Sequence, residues 1–306
     1  MRPPAVTTSG ILLVDKPEEL SSAAVVAKIK KKFSYAKVGH GGTLDPFATG
    51  LLVLLIGEAT KIARFMLEGE KYYSFEAKIG SETDTGDFTG KTLEPSSTQL
   101  PSLQEWENSK HCFLGKTQQV PPQFSALKHQ GRPLYEYARK GEVIPLAPRE
   151  VEIFSLEIKS LHANTLCAEL RCSGGTYIRS LAQDWARKTG TLAHLAKLRR
   201  LQSSAFSIAQ AHTLTDLLAL NPGECAPLLP IKAALSHLPE IFCNEEVGAL
   251  VRKGRQECLS SLEPFPKELL LKENSYVLLS EKKNSHHLPL AILSWKDAYT
   301  IERVFA

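Results

Sequence analysis

The sequence has no long apolar run, no paired-cysteine motif and no nucleotide-binding fingerprint, and each absence argues against a class of protein. No stretch approaches the ~20 consecutive apolar residues that a membrane-spanning helix requires. Residues 1–8 lack the apolar core of a secretory signal, and the six cysteines lack the spacing of a zinc site. The acidic run 84–87 lacks the ligand pattern of a calcium loop and is interpreted as turns. We therefore expect a cytoplasmic protein with reduced thiols, outside the membrane and without a bound metal.

The bulk composition is that of an ordinary globular protein. Of its 306 residues, 43% are hydrophobic and 23% are charged, so the chain can form one large domain, alone or with a small appendage. The net charge of +4 is compatible with a polyanionic partner but does not identify one. Composition alone leaves the function open.

The most distinctive segment is a glycine-rich loop that carries a single acid. Residues 37–50 contain four glycines and one carboxylate, Asp45, and lead directly into the apolar run 51–56. That run has the length and continuity of a buried central strand. An acid beside such a strand must meet a cation, donate a proton or act chemically. Alternatively, Asp45 only accepts backbone hydrogen bonds in an Asp-Pro turn.

Two other segments supply candidate companions for this acid. Tyr73 begins an alternating run that ends at Ile79, which predicts a strand with Tyr73 on its apolar face and is equally compatible with a core tyrosine. Arg179 follows a double glycine where a helix begins, so its guanidinium either holds the carboxylate or is an ordinary surface group. Tyr177 and Arg179 share a side only if this stretch is extended, which the sequence leaves open.

Apolar spacing predicts helices elsewhere in the chain. Ser22 is a plausible N-cap for a helix over residues 23–33, and the spacing from Ile178 predicts another helix that ends before Gly190. A further helical piece is expected just before Leu198. Residues 238–306 are predicted to form a compact, strand-rich tail.

Residues 115–150 combine basic and aromatic side chains in a loop-rich segment. Six Lys or Arg stand against three Glu, with Phe124, Tyr135 and Tyr137 interleaved. This combination suits the backbone of a nucleic acid and its exposed bases. Ordinary surface segments also share it, so the pattern alone does not decide.

Taken together, the motifs resemble those of the TruB family of pseudouridine synthases. The loop reads Gly-His-Gly-Gly-Thr-Leu-Asp-Pro over residues 39–46 and is similar to the active-site sequence of that family. The resemblance spans roughly residues 10–215. Further matching segments are residues 10–17, 21–22, 57–61, 71–73, 121–128, 135–141 and 175–179.

The resemblance implies a fold and an activity. The expected fold is α+β, with a mixed, mostly antiparallel central sheet flanked by helices and a small β-rich, PUA-like C-terminal domain. The expected boundaries are a catalytic domain at 1–235, an RNA-binding thumb at 115–150 within it, and the tail at 236–306. The implied reaction converts uridine-55 in the T loop of tRNA to pseudouridine. It requires no cofactor, obligatory protein partner or guide RNA.

The resemblance also assigns roles to individual residues. Asp45 is the catalytic carboxylate, Arg179 is its cationic partner, and Tyr73 stacks on the target uracil and is the candidate base at carbon-5. His40 occupies space near the everted base, whereas Lys16 either contacts the substrate or anchors the end of a strand. The other positions expected to bind substrate are Thr43, Lys61, Arg132, Arg139, Tyr177 and Leu198.

The chemistry needs a group near the anomeric carbon, because a C–N bond breaks and a C–C bond forms on the same ribose. Asp45 either attacks that carbon or removes a ribose proton, and both routes need an ionised carboxylate. Arg179 is expected to favour this state by lowering the pKa of Asp45. The missing Rossmann and Walker sequences agree with cofactor-free chemistry.

Three other functions compete with this hypothesis. A non-catalytic RNA-binding protein on the same scaffold would need the thumb but not Asp45, and a guide-RNA-dependent relative of the dyskerin type would share the Asp45 loop. A nucleotide hydrolase is disfavoured because the loop lacks the Gly-Lys-Ser/Thr that reaches phosphate.

Overall fold

The computed structural model describes residues 8–93, 97–262, 275–283, 286–295 and 299–305. The helices are α1 (Ser22–Lys32), α2 (Ala63–Glu68), α3 (Leu103–Ser109), α4 (Leu134–Ala138), α5 (Ile178–Lys188), α6 (Leu214–Ala219) and α7 (Glu245–Arg252). The strands are β1 (Gly10–Lys16), β2 (Val38–His40), β3 (Thr49–Ile56), β4 (Lys71–Ile79), β5 (Glu82–Thr83), β6 (Thr92–Leu93), β7 (Gly115–Gln119), β8 (Lys128–His129), β9 (Arg132–Pro133), β10 (Arg149–His162), β11 (Thr165–Cys172), β12 (Ala193–Ser203), β13 (Phe206–Ser207), β14 (His212–Thr213), β15 (Glu240–Cys243), β16 (Ser275–Lys283), β17 (His286–Trp295) and β18 (Tyr299–Val304).

A mixed sheet forms the centre of the molecule. Its strand order is β14-β1-β3-β12-β4-β11-β10-β7, with β2 added beside β3 and β13 beside β12. The β1–β14 and β3–β12 pairs are parallel, and the other pairs of this sheet are antiparallel. The predicted α+β fold with a mostly antiparallel sheet is confirmed.

Strand β3 is buried on both faces, which explains its uninterrupted apolar sequence. Leu52 and Leu54 point into a core that also contains residues of α1 and α5. Leu51 and Val53 point into a second core on the opposite face. Because the strand packs into a core on each face, the loop that enters it is attached directly to the interior of the fold.

Helix α1 begins one residue earlier than predicted, and its cap is a different serine. The Ser21 hydroxyl accepts a hydrogen bond from the Ala24 N–H at 3.1 Å, so Ser21 is the N-cap. Ser22 is instead the first helical residue, is buried, and directs its hydroxyl elsewhere. The assignment of the cap to Ser22 was wrong because the two adjacent serines are equally good caps by residue type.

The helical piece expected before Leu198 is part of strand β12. A bulge between Leu195 and Lys197 interrupts the pairing of β12 with β4. As a result, Leu195 and Leu198 are three residues apart and still pack into the same core. Three-residue spacing is the signature of a helix, so the bulge accounts for the wrong prediction.

The C-terminal residues form the predicted small β-rich unit. Its sheet has the order β15-β16-β17-β18, and α7 packs against it. Leu278, Ile292 and Phe305 extend into the second core of the large sheet, and the Lys61 amine donates to the Val304 carbonyl at 2.8 Å. Among the described residues, no helix combines the length and apolarity needed to cross a membrane.

The two-sided burial of β3 predicts a large effect of truncating Leu54. Leu54 is 0% exposed, so Leu54→Ala leaves a cavity and is expected to lower the free energy of unfolding by about 2–5 kcal/mol in a urea titration. Leu100→Ala is the matched control, because Leu100 is 56% exposed and its loss is expected to change stability by less than ~0.5 kcal/mol. Equal effects of the two substitutions on stability would contradict the burial of β3 on both faces.

Candidate active site

A cleft of about 420 Å³ opens where the Asp45 loop, the central strands and the start of α5 meet. The loop forms one wall, and residues of the 115–150 segment form part of another. The residues that line it are 42–45, Leu67, Lys71, Tyr73, 125–127, Ser173, 175–179, Leu198 and Arg200. Asp45, Thr43, Tyr73, Tyr177, Arg179 and Leu198, which were predicted to form the site, therefore come together.

The Asp45 loop is tied to its surroundings at nearly every residue. At its start, the Gly41 N–H donates to the Val53 carbonyl at 2.8 Å. The Ser22 hydroxyl accepts from the Leu44 N–H at 2.8 Å and donates to the Leu44 carbonyl at 3.0 Å. The first turn of α1 thus holds the residue immediately before the acid.

Two buried cations hold the remaining loop carbonyls. The Arg200 guanidinium donates to the Gly42 carbonyl at 3.0 Å and to the Thr43 carbonyl at 3.3 Å. The Lys16 amine donates to the Pro46 carbonyl at 3.1 Å. These contacts leave the loop little freedom to move, so the position of the carboxylate is set before any substrate arrives.

Arg179 grips the carboxylate of Asp45 with two nitrogens. Its Nε lies 2.9 Å from Asp45 Oδ2, and its Nη2 donates to Oδ1 at 3.3 Å. The turn at Asp45 is closed separately by the backbone, since the Ala48 N–H donates to the Asp45 carbonyl at 3.1 Å. The carboxylate is therefore engaged by a cation, and the side chain keeps 31% of its exposure.

The remaining donors of Arg179 bring two further segments to the site. They bind the Thr85 carbonyl at 2.6 Å and the Phe124 carbonyl at 2.8 Å. A second carboxylate, Asp87, lies 3.8 Å from Arg179 Nη1. With only 3% of its side chain exposed, Arg179 is the centre of a buried network.

The net shift of the Asp45 pKa is upward, although Arg179 acts in the predicted direction. Arg179 and Lys16 lower it, as expected for nearby cations, but burial of the carboxyl raises it by more. Asp87 adds to the rise through its like charge. The net pKa lies above the ordinary value, so the ionised fraction of Asp45 falls on acidification earlier than it would for a free aspartate.

The conformation at the start of α5 decides whether Tyr177 and Arg179 lie on the same side of the chain, which the sequence left open. Tyr177 is extended, with φ −95° and ψ 109°, and the helix begins at Ile178. The Gln119 amide fixes this point, because its oxygen accepts from the Tyr177 N–H at 2.8 Å and its nitrogen donates to the Tyr177 carbonyl at 3.0 Å. Tyr177 and Arg179 both face the cleft.

Several residues predicted to bind substrate lie outside the cleft lining. Lys16 is 0% exposed and bonded to the carbonyls of Pro17, Leu20 and Pro46, so the structure favours its anchoring role over substrate contact. His40 is half-buried in β2 opposite Leu54.

The other three residues are also absent from the cleft lining. Lys61 pairs with Glu58 and with the last strand of the C-terminal sheet, and it is not among the residues that line the cleft. Arg132 and Arg139 are exposed on the 115–150 segment. Arg139 also lies 5.5 Å from the ring centroid of Tyr135.

Sequence reasoning missed two cations in the cleft wall. Lys71 is 4% exposed and donates to the Met66 carbonyl at 2.8 Å, and burial lowers its pKa to about 8. It shares the alternation parity of Tyr73, so its buried side could have been read from the sequence. Arg200 had no such signal, because the bulges in β12 break the alternation on both sides of it. Within the described ranges, no cluster of three or more acidic, His or Cys side chains could hold a metal.

Comparison with known structures shows that the fold is shared with solved proteins of low sequence identity. A crystal structure of a Cbf5–Nop10–Gar1 complex superimposes with a TM-score of 0.72 at 23% identity, covering 97% of this chain and 85% of that one. A crystal structure of an archaeal box H/ACA Nop10–Cbf5 complex gives a TM-score of 0.69 at 22% identity, covering 97% and 86%. At these identities the likeness concerns the fold alone.

Sequence comparison then identifies the family. The family model described as TruB family pseudouridylate synthase (N terminal domain) matches residues 30–178, and the tRNA pseudouridylate synthase B C-terminal domain matches residues 179–235. A tRNA pseudouridine synthase B of Neisseria gonorrhoeae is 42% identical over 256 residues, which are 83% of each chain. That of Thiobacillus denitrificans is 41% identical over 83% of this chain and 86% of its own. The chain belongs to the TruB family of pseudouridine synthases and is an isomerase.

The two serines at the start of α1 provide a test of the loop anchoring. Ser22→Ala leaves the Leu44 N–H and carbonyl without their partner, and is expected to lower the rate of pseudouridine formation by at least ~10-fold and stability by about 1–3 kcal/mol. Ser21→Ala removes only the helix cap, and is expected to cost about 1 kcal/mol of stability with an unchanged rate. Single-turnover rates and thermal unfolding of both variants check this. Indistinguishable rates would contradict a role for Ser22 in the loop.

Proposed function

We propose that this protein converts uridine-55 in the T loop of tRNA to pseudouridine, acting alone and without a cofactor. The observation that carries the proposal is the fixed Asp45–Arg179 pair on the wall of a cleft that also contains Tyr73. The relatives named tRNA pseudouridine synthase B support tRNA as the substrate class.

Asp45 is the residue that acts at the ribose. As a nucleophile it attacks the anomeric carbon, and as a base it removes a ribose proton; in either route the uracil is released and reattached through carbon-5. Only the carboxylate can do this, and Arg179 aims it by gripping both oxygens. Because the pKa of Asp45 is raised, activity is lost as the pH falls through that pKa.

Tyr73 and Leu198 receive the extruded base. Both lie in the cleft wall and are largely buried, at 8% and 6% exposure. Extruding a base costs a few kcal/mol, and stacking on an aromatic ring returns about 1–3 kcal/mol. Tyr73 is also the group that removes the proton from carbon-5. Tyr177 and Thr43 complete the pocket around the nucleotide.

Residues 115–150 serve as a thumb that holds the RNA stem-loop. The segment starts in β7, which is hydrogen-bonded to β10 at the edge of the large sheet, and residues 125–127 reach the cleft. Lys128, Arg132, Arg139 and Lys140 are exposed on it. Such cations bind phosphates of a nucleic acid, and their contribution decreases as salt is added.

The proposal extends to domain boundaries, partners and location. Residues 1–235 act as the catalytic domain and 236–306 as a PUA-like RNA-binding tail. The protein needs no guide RNA or partner, since relatives at 42% identity are named as tRNA enzymes and the complexes with Nop10 or Gar1 are only 23% identical or less. A cytoplasmic location is consistent with six cysteines that stand as free thiols.

The direct test incubates the purified protein with an unmodified T-arm hairpin and with full tRNA, followed by mapping of pseudouridine. Product is expected at uridine-55 in both RNAs without any added protein or RNA. A hairpin with cytidine at that position is the control and is expected to give none. Product at another position, or only after addition of a guide RNA, would overturn the proposal.

Replacement of Asp45 separates catalysis from binding. Asp45→Asn keeps the shape of the side chain and is expected to bind tRNA within a few-fold of the wild-type Kd while forming no detectable product. The matched control is Asp184→Asn, since Asp184 lies on α5 with 47% exposure, and this variant is expected to retain full activity. Product from Asp45→Asn at the wild-type rate would remove Asp45 from the mechanism.

The thumb is tested through the salt dependence of binding. The double substitution of Arg132 and Arg139 by Gln is expected to weaken tRNA binding. Each lost phosphate contact is expected to reduce the slope of log K against log salt by about 0.7–0.9. Lys197→Gln is the control, because Lys197 is also exposed but is paired with Glu76 on the central sheet. An unchanged slope in the double variant would show that these arginines do not touch the RNA.

A further inference from the structure

Arg200 is a buried cation without a carboxylate partner among the residues that the structure describes. It is 1% exposed, although it lines the base of the cleft. Its Nε donates to the Leu51 carbonyl at 2.7 Å, and its two terminal nitrogens donate to the carbonyls of Gly42 and Thr43. Every one of these acceptors is backbone of the Asp45 loop or of the strand that follows it.

An arginine in this environment is not explained by stability. Moving a charged group out of water costs several kcal/mol, and well-packed apolar residues in place of buried charges are often at least as stable. Neutral carbonyls offset this cost less than a carboxylate does. The position therefore holds an arginine for what its planar fork can do, which is to bind several carbonyls at fixed angles.

The backbone of Arg200 is fastened to the far end of the same loop. Gly50 lies opposite Arg200 where β3 pairs with β12. Gly50 has φ +99°, and a Cβ there would lie 2.3 Å from the Arg200 carbonyl oxygen. Only glycine permits this approach. Arg200 thus holds the loop on both sides of Asp45, through its side chain before the acid and its backbone after it.

Arg200 also contacts Tyr73, on the opposite side of the cleft from the Asp45 loop. It lies directly opposite Tyr73 in the pairing of β12 with β4, and its guanidinium interacts with the Tyr73 hydroxyl. The charge of Arg200 lowers the pKa of Tyr73 and so opposes the rise that burial causes. One side chain is therefore in contact with both the Asp45 loop and Tyr73.

We infer that Arg200 is a positioning residue for the isomerisation, which fixes the Asp45 loop relative to Tyr73 without touching the RNA. This inference rests on the proposed roles of Asp45 and Tyr73. The two groups act on opposite parts of one nucleotide, at the ribose and at carbon-5, so their separation must match that nucleotide. A misplacement of about 1 Å can lower a rate by about 10²-fold.

The test compares Arg200→Lys and Arg200→Met with Arg199→Met. Arg199 is the adjacent residue, is 40% exposed and pairs with Asp15 at 2.7 Å, so its loss controls for removal of one charge from β12. Single-turnover rate at saturating tRNA, Kd and thermal unfolding are measured for each protein. Arg200→Lys keeps the charge but lacks the planar fork. It is expected to lose about 10²-fold in rate with a Kd within ~3-fold of wild type, while Arg199→Met changes neither quantity by more than ~3-fold.

Several outcomes would overturn the inference. They are a rate for Arg200→Lys within ~3-fold of wild type, a loss of affinity as large as the loss of rate, or failure of both Arg200 variants to fold, which would make the residue purely structural. If only Arg200→Met unfolds, the rate and Kd of Arg200→Lys decide whether the inference holds. An inactive wild-type protein would contradict the proposed tRNA substrate instead, so the two failures are distinguishable.

Discussion

The ion pair between Asp45 and Arg179 is the contact around which the site is assembled. It joins two side chains 134 positions apart, one on the loop before β3 and one in the first turn of α5. The same guanidinium binds the carbonyls of Thr85 and Phe124, so the loop between β5 and β6 and the 115–150 segment converge on it. Because Arg179 is almost fully buried, separating it from Asp45 would leave a buried charge poorly compensated, so this network resists rearrangement.

The site carries more buried positive charge than a stable fold would need. Lys16, Lys71 and Arg200 lie around the Asp45 loop, and burial lowers the pKa of each lysine to about 8. Their donors bind backbone carbonyls, among them those of Gly42, Thr43 and Pro46 in the loop. Rigid placement of a reactive group before substrate binds is a major source of catalytic rate, which gives a physical reason for retaining such costly groups.

Local patterns of apolar residues correctly predicted those strands and helices in which the apolar spacing is regular. The run 51–56 is a doubly buried strand, and the alternation after Tyr73 places Phe75 and Ala77 in the core. Prediction failed where an irregularity altered the period. The bulge at Leu195 gave a strand the spacing of a helix, and two neighbouring serines could not be ranked as caps. The contact of Lys61 with the Val304 carbonyl had no local signal, because the two residues are 243 positions apart.

The sequence by itself determined the family and marked Asp45, Arg179 and Tyr73 as candidate site residues. It could do so because the residues of each motif are contiguous and their chemistry is specific. Tertiary structure alone decided which of these groups meet. Three features depend on strands and loops that are far apart along the chain. They are the contact of Arg179 with Asp45, the hydrogen bonds of Arg200 to the Asp45 loop, and the burial of Lys16. The direction of the Asp45 pKa likewise follows from burial, which depends on the packing of the whole cleft and cannot be read from neighbouring residues.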